Sequence, residues 1–125
     1  MTTSRFLTSV AAAFLVLTGS LAAAAPAGAV DCPSGQFCAW EHADYQGQRA
    51  NWQGDDGWWE GYIADNDSSW ANHGIVGPGI PAHVQIFDGA WQGGDMTLCL
   101  APGQEVSWNG VANDRGDSHR WAHGC

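Results

Sequence analysis

The chain has 125 residues, 13 of them acidic, against four arginines and no lysine, for a formal net charge of −9. Such a chain lacks the basic side chains that neutralise phosphate groups, which excludes nucleic acid and anionic membranes as partners. A chain this short also excludes a multidomain enzyme.

The first 29 residues are predicted to be a secretory signal peptide. Arg5 precedes an apolar stretch from Phe6 to Leu17, and Ala27-Gly28-Ala29 forms a small-residue cleavage pattern. The stretch is shorter than the roughly 20 residues that a membrane-spanning helix needs. Removing 29 of the 125 residues leaves 96, and three arginines then face 13 acids. We expect a secreted, monomeric single domain over residues 30–125.

All four cysteines lie after the predicted cleavage point. An even number of cysteines in an exported chain predicts two disulfides, for which three pairings exist. We favour Cys32 with Cys38, because Pro33-Ser34-Gly35 supplies a turn between them, and Cys99 with Cys125, which would fix the C-terminus.

Short apolar alternations predict strands and no helix. The clearest are residues 84–87 and 96–100, each with one apolar face. Weaker alternations cover residues 37–40, 49–52, 59–63, 105–108 and 119–122. The pattern is typical of a sandwich of about eight short antiparallel strands. Residues 73–81 are too rich in Gly and Pro for a central strand, so they form a connector between two halves.

The two halves repeat each other. Residues 40–47 are echoed by 87–93, and residues 65–69 by 113–118, at an offset of 46 to 48 positions. We therefore predict repeat one over about 37–74 and repeat two over about 83–123, packed on each other. In each half two aromatics are expected to pack across a hairpin, Trp40 with Tyr45 and Phe87 with Trp91, as core or corner residues.

The repeated pattern resembles the βγ-crystallin double Greek key. It is an aromatic, an acid, a second aromatic and a Gly, followed by an Asn/Asp/Ser loop. Residues 32–42 and 101–104 resemble more narrowly the secreted actinobacterial peptidase-inhibitor family, whose type member inhibits metalloproteinases. The resemblance implies an all-β sandwich of two Greek-key motifs and a protein that inhibits an extracellular protease. It assigns no inhibitory residue here. No nucleophile motif is present, so we predict that the chain is not an enzyme.

The same resemblance implies calcium ligands on the two Asn/Asp/Ser loops. They are the side chains of Asp65, Asn66, Ser69, Asn113, Asp114 and Asp117. Hard oxygens of this kind are the ligands that Ca²⁺ prefers. In the first half the motif fits only if Trp70 replaces its final Ser, or if a two-residue deletion aligns Asn66-Asp67 with its start. The alternative is that these residues form Asx turns.

Eight tryptophans are more than one small core can hide. Trp58 and Trp59 are adjacent on a presumed strand and should point to opposite faces, so one of them is a candidate exposed anchor for a protein or a sugar ring. The rival function is therefore a calcium-binding or carbohydrate-binding module of the cell wall. Surplus tryptophans that are half-buried at sheet edges are the alternative without a binding role.

Overall fold

The computed structural model describes residues 30–125, so the predicted signal peptide lies outside the described residues. The strands are β1 Phe37–His42, β2 Gln46–Trp52, β3 Ser69–Asn72, β4 His83–Phe87, β5 Met96–Leu100, β6 Glu105–Val106 and β7 Ser118–Ala122. Two single-turn 3-10 helices, Ala43–Tyr45 and Ala90–Gln92, follow β1 and β4. The all-β prediction is confirmed. Within residues 30–125, neither helix has the length and apolar character to cross a membrane.

The strands form two antiparallel sheets, and each sheet is extended at one edge by a residue or strand from the other half. The first sheet has the order β2-β1-β3-β6, and the second has the order β5-β4-β7. Strand β6 comes from the second half but pairs with β3 of the first. In return, Asp56 of the first half forms an isolated bridge with His119 of β7. This reciprocal exchange ties the two halves into one sandwich.

The strand prediction is wrong at two places. Residues 59–63 form turns rather than a strand, and the amide of Ala64 donates to the Glu60 carbonyl at 2.9 Å. Trp59 and Ile63 are both buried because this tight turn, not strand alternation, brings them to the core. Strand β3 was missed because all four of its residues are buried and show no apolar alternation.

The core lies between the sheets and is built around aromatic rings. The ring of Trp52 stacks on Phe37 at 5.2 Å and on Trp59 at 4.7 Å between centroids. The buried apolar residues of this core are Phe37, Ala39, Ala50, Trp59, Ile63, Trp70, Val84, Ile86, Leu100 and Ala112. Both halves contribute, so neither half could bury its apolar face alone.

The predicted aromatic corner forms in only one half. Trp40 and Tyr45 meet edge to face with centroids 5.2 Å apart. In the second half the expected packing of Phe87 with Trp91 is wrong, because Trp91 is 72% exposed and Arg120 covers the Phe87 ring. The two hairpins have the same length, because the Gln92 amide donates to Ser118 as the Tyr45 amide donates to Ser69. Gln92 therefore occupies the corner, and its side-chain amide donates to the His119 carbonyl at 2.9 Å.

Both disulfides form with the pairing that the sequence favours. Cys32 joins Cys38, and Cys99 joins Cys125. Each bridge closes a loop within one half, so no disulfide spans the segment 74–81 that links the two halves. The halves are held together by the pairing of β6 with β3, by the bridge between Asp56 and His119, and by contacts between the two Asn/Asp/Ser loops.

Candidate functional site

The two Asn/Asp/Ser loops meet across an approximate twofold relation. The amide of Asp65 donates to the Gly116 carbonyl at 2.8 Å, and the amide of Asp114 donates to the Asp67 carbonyl at 2.8 Å. Asp65 and Asp114 both adopt a left-handed backbone, with φ of 55° and 58°. The matching bonds identify Asp65 and Asp114 as equivalent positions of the two repeats.

The serines at the ends of the loops have matching structural roles. The Ser69 hydroxyl donates to the His42 carbonyl at 2.7 Å and accepts from the Tyr45 amide at 3.0 Å. In the same way Ser118 donates to Gly89 and accepts from Gln92. Ser69 is therefore the final serine of the first motif.

This equivalence corrects both alignments considered from the sequence. The first motif runs from Ala64 to Ser69. Trp70 is therefore not its final residue, and no two-residue deletion is needed. Ser68, rather than Ser69, is the residue equivalent to Asp117. The Ser69 hydroxyl holds the turn after β1 in place, while Asp117 lies where the second loop faces the first.

The structure brings two of the six predicted calcium ligands into contact. The carboxyl groups of Asp65 and Asp117 lie close together, and the pKa of Asp117 is raised to about 6, first by desolvation and then by the charge of Asp65. The buried Asn113 Oδ1 has no hydrogen-bond partner. Asn66 instead donates to the carbonyl of Tyr62 at 2.9 Å, and Asp114 is exposed. Residues 30–125 contain no group of three or more His, Cys, Asp or Glu side chains suited to a metal ion.

Asp67 is the acidic residue that sequence reasoning missed. Its side chain is buried, and it accepts from the Gly116 amide at 2.9 Å and from Trp70 Nε1 at 2.7 Å. Desolvation raises the pKa of Asp67 to about 6, although both hydrogen bonds act to lower it. The sequence shows only one more acid in a loop full of acids, so nothing in it distinguishes Asp67.

His119 is likewise a core residue rather than part of a C-terminal tail. Its Nδ1 accepts from Trp59 Nε1 at 2.9 Å, and its Nε2 lies 2.8 Å from the Gly54 carbonyl. That pair of partners defines a neutral ring with the proton on Nε2. Desolvation lowers the pKa of His119 to about 4. His119 thus links the two halves through the core.

Trp58 and Trp59 separate as predicted, although they lie in a turn and not on a strand. Trp58 is 70% exposed, whereas Trp59 is 1% exposed. A hollow of about 320 Å³ lies between Trp58, Ala90 and Asp117. Exposed Trp91 packs on Gly57, where a Cβ would overlap its indole ring. One face thus presents two exposed tryptophans close to the Asp65 and Asp117 carboxyl pair.

This architecture defines a βγ-crystallin-type double Greek-key protein. Similar solved structures are a βγ-crystallin from an archaeon (18% identity, TM-score 0.56, 71% of this chain and 99% of that one) and a βγ-crystallin from Ciona intestinalis (19%, 0.54, 70% and 99%). A third is a βγ-crystallin domain from Clostridium beijerinckii (16%, 0.52, 70% and 97%). At these identities the likeness establishes the fold alone.

The sequence identifies the protein family to which the chain belongs. The model of peptidase inhibitor family I36 matches residues 25–99, more than half of the chain, so the chain belongs to that family. Among curated proteins, no sequence matches. The family is one of inhibitors and not of enzymes, in agreement with the prediction that this chain is not an enzyme.

Proposed function

We propose that the chain is secreted and inhibits an extracellular protease by binding to it. Membership of the peptidase inhibitor family carries the proposal. Two disulfides support it, because such bridges persist in oxidising extracellular compartments. A rigid sandwich also loses little conformational entropy on binding, which favours a protein that acts by presenting a fixed surface.

Inhibition assays against proteases of several mechanisms test this function. We expect the purified mature protein to inhibit at least one extracellular enzyme at micromolar concentration, with a thermolysin-like metalloprotease and a subtilisin-like serine protease as the first two. The matched control is the same protein with both disulfides reduced and alkylated. The rival hypothesis, a wall-binding module that uses Trp58, predicts retention on chitin or peptidoglycan instead. Retention without inhibition of any protease would contradict the proposal.

We also propose that Ca²⁺ binds where the two acidic loops meet. Two observations favour it: the Asp65 and Asp117 carboxyls lie close together, and the loop that carries Asp117 also carries the buried Asn113 Oδ1, which has no hydrogen-bond partner. Two adjacent carboxylates repel each other at neutral pH, and a divalent cation would relieve that repulsion. These three side chains would hold the ion, whose role would be to stabilise the fold.

Thermal unfolding with and without Ca²⁺ tests this site. With a dissociation constant of roughly 0.1 to 1 mM, 5 mM Ca²⁺ should add about 1 to 2 kcal/mol to the free energy of unfolding. That corresponds to a rise of several degrees in Tm for a domain of this size. Asp117→Asn should abolish the rise. An equal Tm in Ca²⁺ and in chelator would contradict calcium binding.

A further inference from the structure

The segment that links the two halves has the features of a protease-facing loop. The name connector is kept here for residues 74–81, the part of the segment 73–81 that follows His73. It contains no charged residue in a chain with 13 acids. Three of its aliphatic side chains are exposed: Ile75 by 61%, Val76 by 72% and Ile80 by 50%. Absence of charge and exposed apolar side chains are typical of the centre of a protein interface.

The connector is held at both ends by one buried side chain. Asn72 Oδ1 accepts from the Gly74 amide at 2.8 Å, and Asn72 Nδ2 donates to the Ala82 carbonyl at 2.8 Å. The same Nδ2 also donates to the Leu100 carbonyl at 3.1 Å in the second sheet. Asn72 is fully buried at the end of β3, so its amide fixes the separation of the two ends of the connector.

The shape of the connector is fixed by further contacts. The amide of Ile80 donates to the Gly77 carbonyl at 3.1 Å, which closes a tight turn with Gly79 at φ 71°. Such a turn requires a residue that tolerates positive φ at its third position, which Gly79 supplies, and favours proline before it. Before it, residues 73–77 form neither helix nor strand.

The start of the connector is tied to the disulfide loop of the first half. The His73 carbonyl accepts from the Gly35 amide at 2.7 Å, and His73 Nδ1 lies 2.7 Å from the Cys32 carbonyl. The side chain of Ile75 packs over Gly35. The Cys32–Cys38 bridge thus supports the segment that carries the most exposed aliphatic side chains.

We propose that the connector occupies the substrate cleft of the inhibited protease, with Ile75 and Val76 as the side chains that enter its specificity pockets. The proposal rests on the inhibitory function proposed above and names its surface. The partner is a peptidase that accepts β-branched aliphatic residues, because those are what the connector presents. A hollow of about 490 Å³ beside the connector, lined by Ile80, Pro81 and Trp121 among others, extends the apolar surface that the rim of the cleft would cover.

The hydrogen bonds by which Asn72 holds both ends of the connector, called the Asn72 clamp, explain why binding would inhibit the protease and not lead to rapid digestion of the connector. If one peptide bond of the connector were hydrolysed, one water would be consumed and a new carboxyl and a new amino group would form. No disulfide joins the two resulting pieces. Asn72 and the pairing of β6 with β3 would still keep the new ends close, so the loop would leave the cleft slowly.

The inhibition constants of two variants of the mature protein test whether the connector binds the protease. Val76→Asp places a charge on the most exposed aliphatic side chain of the connector, and we expect inhibition to weaken about 100-fold, the size of a binding hot spot. Val111→Asp makes the same change at a residue that is 65% exposed outside the connector, and inhibition should be unchanged. Both sites are exposed, so Tm should stay within a few degrees of the parent protein.

A third variant tests the role of Asn72 in holding the two ends of the connector. Asn72→Asp keeps an acceptor for the Gly74 amide but removes the donor to Ala82 and Leu100. We expect the protease to cleave the variant within residues 74–81 at least about 10-fold faster than it cleaves the parent protein, and mass spectrometry measures both rates.

If the parent protein inhibits a protease and Val76→Asp inhibits it equally well, the connector proposal is overturned and the inhibitory function stands. If the parent protein inhibits no protease, both proposals fail.

Discussion

Replacing Asp67 by alanine is expected to lower the free energy of unfolding by about 3 kcal/mol, measured by urea denaturation at pH 7. The substitution leaves two buried donors without an acceptor, the Gly116 amide and Trp70 Nε1. Each unsatisfied buried donor costs about 1 to 3 kcal/mol. The desolvation that Asp67 suffers in the native protein is relieved at the same time, which holds the loss to the lower half of the summed range.

Two variants provide the comparison. Asp67→Asn keeps the size of the side chain, but its single oxygen can satisfy only one of the two donors, so we expect an intermediate loss of about 2 kcal/mol. Asp114→Ala removes an exposed acid from a left-handed position of the equivalent loop, where alanine is less favourable, and should cost no more than about 1 kcal/mol. If Asp67→Ala were no more costly than Asp114→Ala, the role of Asp67 in joining the halves would be wrong.

Asp67 also explains why the repeat in the sequence is imperfect. Its equivalent in the second half is Gly116, where a Cβ would overlap the Asp67 carboxyl and the Trp59 ring. One loop must therefore lack a side chain at the place where the other buries an acid. A strictly repeated sequence would put either two carboxyls or an empty space at this contact. The difference between the halves is a packing requirement. In a comparison of the two repeats it looks the same as random sequence divergence.

The fold was predictable because its signals are local or repeated. Alternation found β4 and β5, and the repeated hairpin pattern gave the double Greek-key arrangement. Strand β3 was missed because both of its faces are buried, which removes the alternation on which strand prediction depends. The exchange of β6 depends on contacts between residues far apart in sequence, and no local pattern encodes them.

The candidate site was less predictable because its chemistry depends on one-residue shifts. The two hairpins have the same length in the structure, so Gln92 rather than Trp91 occupies the position of Tyr45, although the sequence motif aligns the two aromatics. A one-residue shift in the loop alignment likewise makes Ser68, and not Ser69, the equivalent of Asp117, and Ser69 has a structural role. Burial likewise separates Asp67 from the exposed acids around it, and burial is a property of the assembled core.

Acid should destabilise the protein through His119 in a way that a variant comparison can isolate. Burial lowers the pKa of His119 from about 6.5 to about 4. The unfolded chain therefore binds a proton below pH 6.5 that the native protein does not take up until about pH 4. Stability must fall as the pH drops between these values, by about 3 kcal/mol for this residue. The nearby Asp55 and Asp56 act in the opposite direction but do not overcome burial.

The contribution of His119 cannot be measured on the parent protein alone, because two acids oppose it. The pKa values of Asp67 and Asp117 are raised to about 6, so these groups keep their protons to higher pH in the native state than in the unfolded chain. Their contribution to stability therefore increases as the pH falls below about 6, which opposes that of His119. Asp117 is partly exposed, and solvent screening reduces its share. The stability of the parent protein should change less between pH 6.5 and 4 than His119 alone dictates.

The difference in stability between the parent protein and His119→Gln removes the opposing terms, because both proteins carry the same acids. At pH 7 the variant should be less stable, since glutamine cannot reproduce both the bond from Trp59 and the bond to Gly54. Between pH 6.5 and 4 the difference should shrink by about 3 kcal/mol, and at pH 4 the variant should match or exceed the parent protein. His123→Gln makes the same replacement at an exposed residue and should show a small, constant difference. A constant difference for His119→Gln as well would mean that the ring is not held neutral in the core.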